Sequence, residues 1–273
     1  MRLSVSNLAW SREHDREIAR LLRALDMDAI DVAPGRYFAD PAAVAHGEAD
    51  AVRAFWADSG VEIVGLQALF FGTEGLNLFG PEAVQRRMLE HLRAVCRLGA
   101  RLGARCLVFG SPRNRDAGDL GPEAALERSL SFFDRLGAIA EDAGVAVCLE
   151  PNPARYGCNF MVTTEAAAAV VRAVGRPGIR LQFDTGTWTA NGEDAASAAR
   201  LHAPLVGHVH VSEPGLAPVG TGGADHYVYA ALLREWLPAH VVTIEMLPGA
   251  DQVEAVRQAV TTAQAVYGRG ART

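Results

Sequence analysis

Short apolar runs with strand-like composition alternate with longer, alanine-rich amphipathic runs from one end of the chain to the other. That alternation predicts parallel strands joined by crossover helices. Eight strands are expected, at Leu3–Leu8, Ala29–Ala33, Glu62–Ala68, Arg105–Phe109, Ala146–Pro151, Arg180–Asp184, Leu205–Ser212 and Val241–Met246. Helical periodicity lies between them, notably over Pro41–Ser59, Pro81–Leu102, Pro122–Ala143, Thr164–Val174 and Gln252–Tyr267. Pro41, Pro81 and Pro122 suit a first helical turn, and Thr164 and Asp225 suit caps.

Eight strand-helix units at a near-constant period of about 30 residues fit a closed (β/α)8 TIM barrel better than an open doubly wound sheet. One barrel of about 250 residues accounts for nearly all of a 273-residue chain. Residues 1–267 are therefore read as a single catalytic domain, and 268–273 as a flexible tail. In such a barrel the functional groups belong at the C-terminal ends of the strands.

Composition narrows the function. Hydrophobic residues make up 49% and charged residues 21% of the chain, as in an ordinary globular protein. No apolar run reaches the roughly 18 residues of a membrane span, and the N-terminus lacks a signal-peptide core. A cytoplasmic protein without membrane contact is expected. The formal net charge of −6 offers no general attraction to a nucleic-acid backbone. All 26 basic residues are arginine, which removes Schiff-base and P-loop chemistry, since both need a lysine. Cys96, Cys106, Cys148 and Cys158 lack metal-binding spacing and read as reduced, mostly buried thiols.

The strand ends carry the chemistry. Glu150 closes "CLEP", Asp184 closes "LQFD", His208 and His210 stand in "GHVHVSEP", and Glu245 closes "VVTIE". Burying any of these groups alone would cost several kcal/mol. Four on consecutive strands call for a common partner. Glu150, Asp184, His210 and Glu245 supply three oxygen-donor residues and one nitrogen, which suits an octahedral divalent cation, Mn2+ first, with Mg2+ and Co2+ as the other candidates. Side-chain alternation places Cys148, Gln182, His208 and Thr243 in the layer below, where His208 and Gln182 would support the ligands.

The ordered set LEP, FDTG, GHVHVSEP and TIEM resembles the xylose-isomerase-like TIM-barrel family of sugar phosphate isomerases and epimerases, which includes ketose 3-epimerases and hydroxypyruvate isomerases. The resemblance implies metal binding by Glu150, Asp184, His210 and Glu245. It implies a small sugar-like 2-hydroxycarbonyl substrate that chelates the ion, with Glu150 and Glu245 moving protons on opposite faces of a metal-held enediolate. Reprotonation of the same carbon gives epimerisation and of its neighbour isomerisation. Family members often form dimers or tetramers, so a homo-oligomer is also implied. Two departures bear on the substrate: Thr187 stands where many relatives have a histidine, and no arginine follows the H-x-H motif. The absence of lysine separates the chain from true xylose isomerases.

Substrate contacts are expected from Asn7, Trp10, Gln67, Arg113, Asn152 and Glu213, all in strand-end segments. Arginines there suit a phosphate or carboxylate. Three other readings compete. A dehydratase on a keto-sugar or inosose would eliminate water from the same enediolate. An abasic-site endonuclease would need further ligands on strands 2 to 4, where "DVAP", "LQAL" and "VFGS" carry no histidine or acid at their tips. A non-catalytic binding subunit would not need the intact four-ligand set.

Overall fold

The computed structural model describes residues 1–41 and 43–268; beyond Gly268, the tail expected at 268–273 lies outside the described residues. Eight parallel strands close into a barrel in chain order, β1 (Arg2–Ser6), β2 (Ala29–Val32), β3 (Glu62–Leu66), β4 (Cys106–Phe109), β5 (Ala146–Leu149), β6 (Ile179–Asp184), β7 (Val206–Val211) and β8 (Val241–Ile244), with β8 pairing back onto β1. The strands are buried on both sides, against the barrel interior and against the helical ring, which is why they read as nearly continuous apolar runs.

Around the sheet lie α1 (Asp15–Ala24), α2 (His46–Asp58), α3 (Glu82–Leu102), α4 (Pro122–Ala143), α5 (Thr164–Val174), α6 (Thr185–Asn191), α7 (Ala195–His202), α8 (His226–Trp236) and α9 (Gln252–Tyr267). The longer helices turn apolar stripes inward; in α3 it is Met88, Leu92, Val95, Cys96 and Leu102. α3, α4 and α5 end on Gly103, Gly144 and Gly175, whose left-handed backbone closes the last turn.

Several boundaries differ from the sequence expectation for local reasons. β1 stops at Ser6 because Asn7 turns away and its Oδ1 accepts the Ala33 N–H at 2.7 Å, so Asn7–Ala9 form a 3-10 turn. α2 starts at His46 rather than Pro41, with Glu48 reaching back to the Ala45 N–H. Thr163, not Thr164, caps α5 by accepting the Ala166 N–H, while Asp225 caps α8 as expected. The short helix α6, absent from the sequence reading, follows β6 without a loop.

The barrel's stagger also breaks the flat layers that side-chain alternation suggests. Asp184 pairs level with His210 and Gln182 with His208, but His210 pairs level with Thr243. Glu245 therefore sits two residues beyond the level of His210. Among the described residues no helix is long and apolar enough to cross a membrane.

Candidate metal centre and cavity

Glu150 and Glu245 are the first residues past β5 and β8, Asp184 is the last residue of β6, and His210 lies inside β7. One donor atom from each of the four falls within 4.8 Å of the others. His210 is fully buried, and its Nδ1 lies 3.2 Å from Glu245 Oε2 and 3.4 Å from Glu150 Oε1. The second oxygen of each glutamate is held by a side-chain amide: Gln67 Nε2 donates to Glu245 Oε1 at 2.5 Å and Asn152 Nδ2 to Glu150 Oε2 at 3.1 Å. Asp184 Oδ2 accepts from Ser212 Oγ at 2.6 Å, and its Oδ1 caps α6 by accepting the Thr187 N–H at 2.5 Å.

Electrostatics pull the set apart. Burial, then repulsion from Glu150 and Glu245, pushes the Asp184 carboxyl up to about 7. Burial works the same way on Glu150, but His210, Asn152 and Arg115 overcome it and hold that carboxyl below its ordinary value. Burial would lower the His210 imidazole, and Glu245, Asp31 and Glu150 together raise it well above the ordinary value. Asp184 and His210 are thus both shifted toward their protonated forms. A divalent cation would offset the same repulsion among the carboxylates.

The donor set fits such an ion. Neither ring nitrogen of His210 makes a well-formed hydrogen bond, and a buried imidazole left so is costly unless something coordinates it. Three carboxylates and one imidazole without thiolate suit a hard or borderline divalent ion.

Asp31 was passed over in the sequence. It lies within β2, fully buried, and its Oδ2 accepts from His208 Nε2 at 2.7 Å and lies 3.5 Å from His210 Nε2. Burial opposes ionisation of Asp31, yet the two histidines hold it well below the usual carboxylate range. Burial would lower the His208 imidazole, but Asp31, helped by Cys106, lifts it to about 9. Thr243 Oγ1 lies 3.2 Å from His208 Nε2. His208 therefore supports the site from below through Asp31, which faces the edge of His210 opposite the carboxylates. Orientation of a ligating imidazole by a carboxylate is a recurrent feature of metal sites. An acid inside the apolar run "AIDVA" was the available signal.

Above the cluster opens a cavity of about 540 Å³, lined by Gln67, Arg113, Glu150, Asn152, Asp184, Thr187, Glu213 and Glu245 together with apolar groups including Leu8, Phe70, Phe71, Tyr156 and Leu216. Phe71 is 73% exposed at the rim. Four of the expected substrate contacts, Gln67, Arg113, Asn152 and Glu213, thus face this space. Asn7 and Trp10 do not. Asn7 is bound to the Ala33 backbone, and Trp10 turns under the barrel mouth, donating to Asp15 Oδ1 at 2.8 Å and packing on Trp56. Both hold the frame, and Leu8 between them reaches the cavity.

Glu213 borders the cavity with its carboxylate already engaged. It accepts from the Gly220 N–H at 2.8 Å, the Ala224 N–H at 2.9 Å and His226 Nε2 at 3.0 Å. Arg113 donates to the Thr73 carbonyl at 3.1 Å and has no carboxylate within 4.0 Å among the described residues. Gln182 is buried level with His208, and both ends of its amide lack a partner.

Three carboxylates and an imidazole thus gather at the C-terminal mouth of a closed α/β barrel, a candidate site for a metal ion. A family model described as the xylose isomerase-like TIM barrel matches residues 19–262, and the chain belongs to that family. The human protein named "Putative hydroxypyruvate isomerase" is 33% identical over 97 residues, 35% of each chain. L-ribulose 3-epimerase of Methylomonas sp. (strain DH-1) is 29% identical over 117 residues, 42% of this chain and 41% of that protein. These alignments span well under half the length of either relative. In three dimensions the likeness extends over nearly the whole chain. A crystal structure of D-psicose 3-epimerase with D-fructose superposes with a TM-score of 0.81, at 19% identity, over 98% of this chain and 100% of that one. The IOLI protein with a bound zinc atom gives 0.77, at 19% identity, over 98% of both chains. At such identities the superpositions establish the fold.

Proposed function

We propose that the protein is a divalent-metal-dependent isomerase or epimerase of a sugar or sugar-like 2-hydroxycarbonyl compound. The observation that carries the reading is the convergence of Glu150, Asp184, His210 and Glu245 within 4.8 Å at the floor of the cavity. The epimerases and isomerases among its relatives support the substrate class, and the zinc of the IOLI protein supports a metal.

Those four residues would hold the ion, with Mn2+ the first candidate, and the ion would polarise the substrate carbonyl and acidify the neighbouring C–H. The remaining steps belong to the chain. Glu150 and Glu245, from strands three apart around the barrel, approach from two sides; one removes the proton and the other returns one to the opposite face. Gln67 and Asn152 keep one oxygen of each glutamate occupied, so the other is aimed inward. Phe70, Phe71 and Leu216 exclude water from the reacting carbons, and Arg113 and Asn152 meet the polar end of the substrate.

The test uses metal-stripped protein reloaded with Mn2+, a panel of ketoses, ketose phosphates and hydroxypyruvate-like acids in D2O, and detection of deuterium at carbons beside the carbonyl. Incorporation without loss of mass as water supports the proposal. A dehydrated product, or full turnover after exhaustive chelation, overturns it. Glu245→Gln should lower kcat by at least about 100-fold with the fold intact, and an unchanged rate removes Glu245 from the proton path.

A further inference from the structure

Arg115 is the one buried arginine among the described residues, with 0% exposure in the turn that follows β4. No carboxylate lies within 4.0 Å of it among those residues. Its NH1 donates to the main-chain oxygen of Glu150 at 2.6 Å, its NH2 donates to Asn152 Oδ1, and its Nε has no partner. Burying such a cation carries a desolvation penalty that an apolar side chain of similar volume would avoid. Stability does not explain the residue.

Hydrogen-bond polarity offers an explanation. A guanidinium only donates, so the Asn152 atom facing it must be the carbonyl oxygen. The amide then presents Nδ2, and only Nδ2, to Glu150 Oε2. Oε2 is committed as an acceptor, and Oε1 is left on the side of His210 Nδ1. The opposite glutamate lacks this fixture. Gln67 donates to Glu245 Oε1, but Gln67 Oε1 is buried without a partner and nothing locks that amide. The two glutamates are alike in their own contacts and unlike in what stands behind them.

We propose that Arg115 is a positioning residue which, acting through the Asn152 amide and the Glu150 main-chain oxygen, fixes the Glu150 carboxylate with Oε1 turned to the ion. The inference rests on Glu150 being a ligand, as in the function proposed above. It concerns how the site is held, whatever substrate it takes.

The test is Mn2+ binding to the full-length, metal-stripped protein, read by the paramagnetic resonance of free Mn2+, for wild type, Arg115→Met, Arg115→Lys, Asn152→Ala and the double variant Arg115→Met/Asn152→Ala. Arg115→Met and Asn152→Ala should each weaken binding by about 10–100-fold, the usual effect of removing a group that orients a ligand. The double variant should lose less than the product of the two, because both act along one chain of contacts. Arg115→Lys should fall between, keeping the charge without the fork. Single variants that bind Mn2+ within about twofold of wild type, or losses that multiply, overturn the proposal. Should Arg115→Met fail to fold, Asn152→Ala and Arg115→Lys decide alone. Wild-type protein that binds Mn2+ but converts no compound in the panel would sink the proposed activity and leave this binding test standing.

Discussion

Asp184 ends β6, caps α6 and faces two other carboxylates, and its three roles make opposite demands on its charge. The cap favours the anion at a helix start, while Glu150 and Glu245 disfavour it. With the native carboxyl raised to about 7, the folded metal-free protein holds a proton that the unfolded chain releases near pH 4. This contribution to stability is full below that value and is lost as pH rises through about 7. His208, raised to about 9, acts in the same direction at higher pH. Thermal unfolding of the stripped protein should therefore move to lower temperature between pH 5.5 and 9. Asp184→Asn should flatten the lower part of that slope and raise Tm at pH 8 by a few degrees, corresponding to about 1 kcal/mol. A slope unchanged in the variant would remove Asp184 from the account. Gly110 makes a steric counterpart, since a Cβ there would overlap Glu150 Oε2. Gly110→Ala should lower Mn2+ affinity by about 10-fold or more while leaving the circular dichroism of the barrel unchanged; retained affinity would mean that Glu150 can shift without consequence. At this scale the four strand-end groups were legible because each is an ionisable side chain closing an apolar run. Trp10 and Arg115 were not, because their roles depend on Asp15, Trp56 and Glu150, partners that the turns after β1 and β4 bring into reach.

The elements that shape the mouth are tied by side chains more than by their own backbones. Between β7 and α8 the chain runs from Ser212 to Asp225, and Glu213 pins it through two backbone N–H groups and His226, whose Nδ1 lies 2.6 Å from the Tyr267 hydroxyl on α9. Burial would raise the Glu213 carboxyl, but these donors hold it below its usual value. Glu213→Ala leaves two amides and an imidazole without an acceptor, at about 1–3 kcal/mol. Hydrogen exchange should then quicken over residues 214–225 ahead of the rest of the chain; uniform exchange would show that the loop is held otherwise. The motif "HVSEP" marked Glu213 as a candidate contact in the sequence, and only the structure shows its oxygens spent on the loop. The β/α alternation itself was plain, because apolar strands and amphipathic helices differ in period. The end of β1 and the start of α2 were not, since each is fixed by one side-chain hydrogen bond rather than by a change in pattern.

Across the whole molecule, closure of the sheet follows from the count of eight units, and the family match over residues 19–262 agrees with it. An ion bound to the folded state alone stabilises it by mass action, about 2.7 kcal/mol at a concentration 100 times Kd. Mn2+ should thus raise Tm of the stripped protein by several degrees, and Asp184→Asn should abolish most of the rise. An equal rise in both proteins would locate Mn2+ elsewhere.

Strand order has a lasting consequence. Glu150, Asp184, His210 and Glu245 all come from the half of the barrel that runs from β5 to β8, whereas Gln67, Phe70, Phe71 and Arg113 extend from β3 and β4. Three contacts tie the first half to the second: Asp31 on β2 meets the two imidazoles, Gln67 after β3 holds Glu245, and Arg115 after β4 holds the Glu150 main chain. A lineage carrying this arrangement can vary the outer positions Phe70, Phe71 and Arg113 to meet new compounds while the proposed ion site keeps its supports, provided Asp31, Gln67, Gly110 and Arg115 are spared.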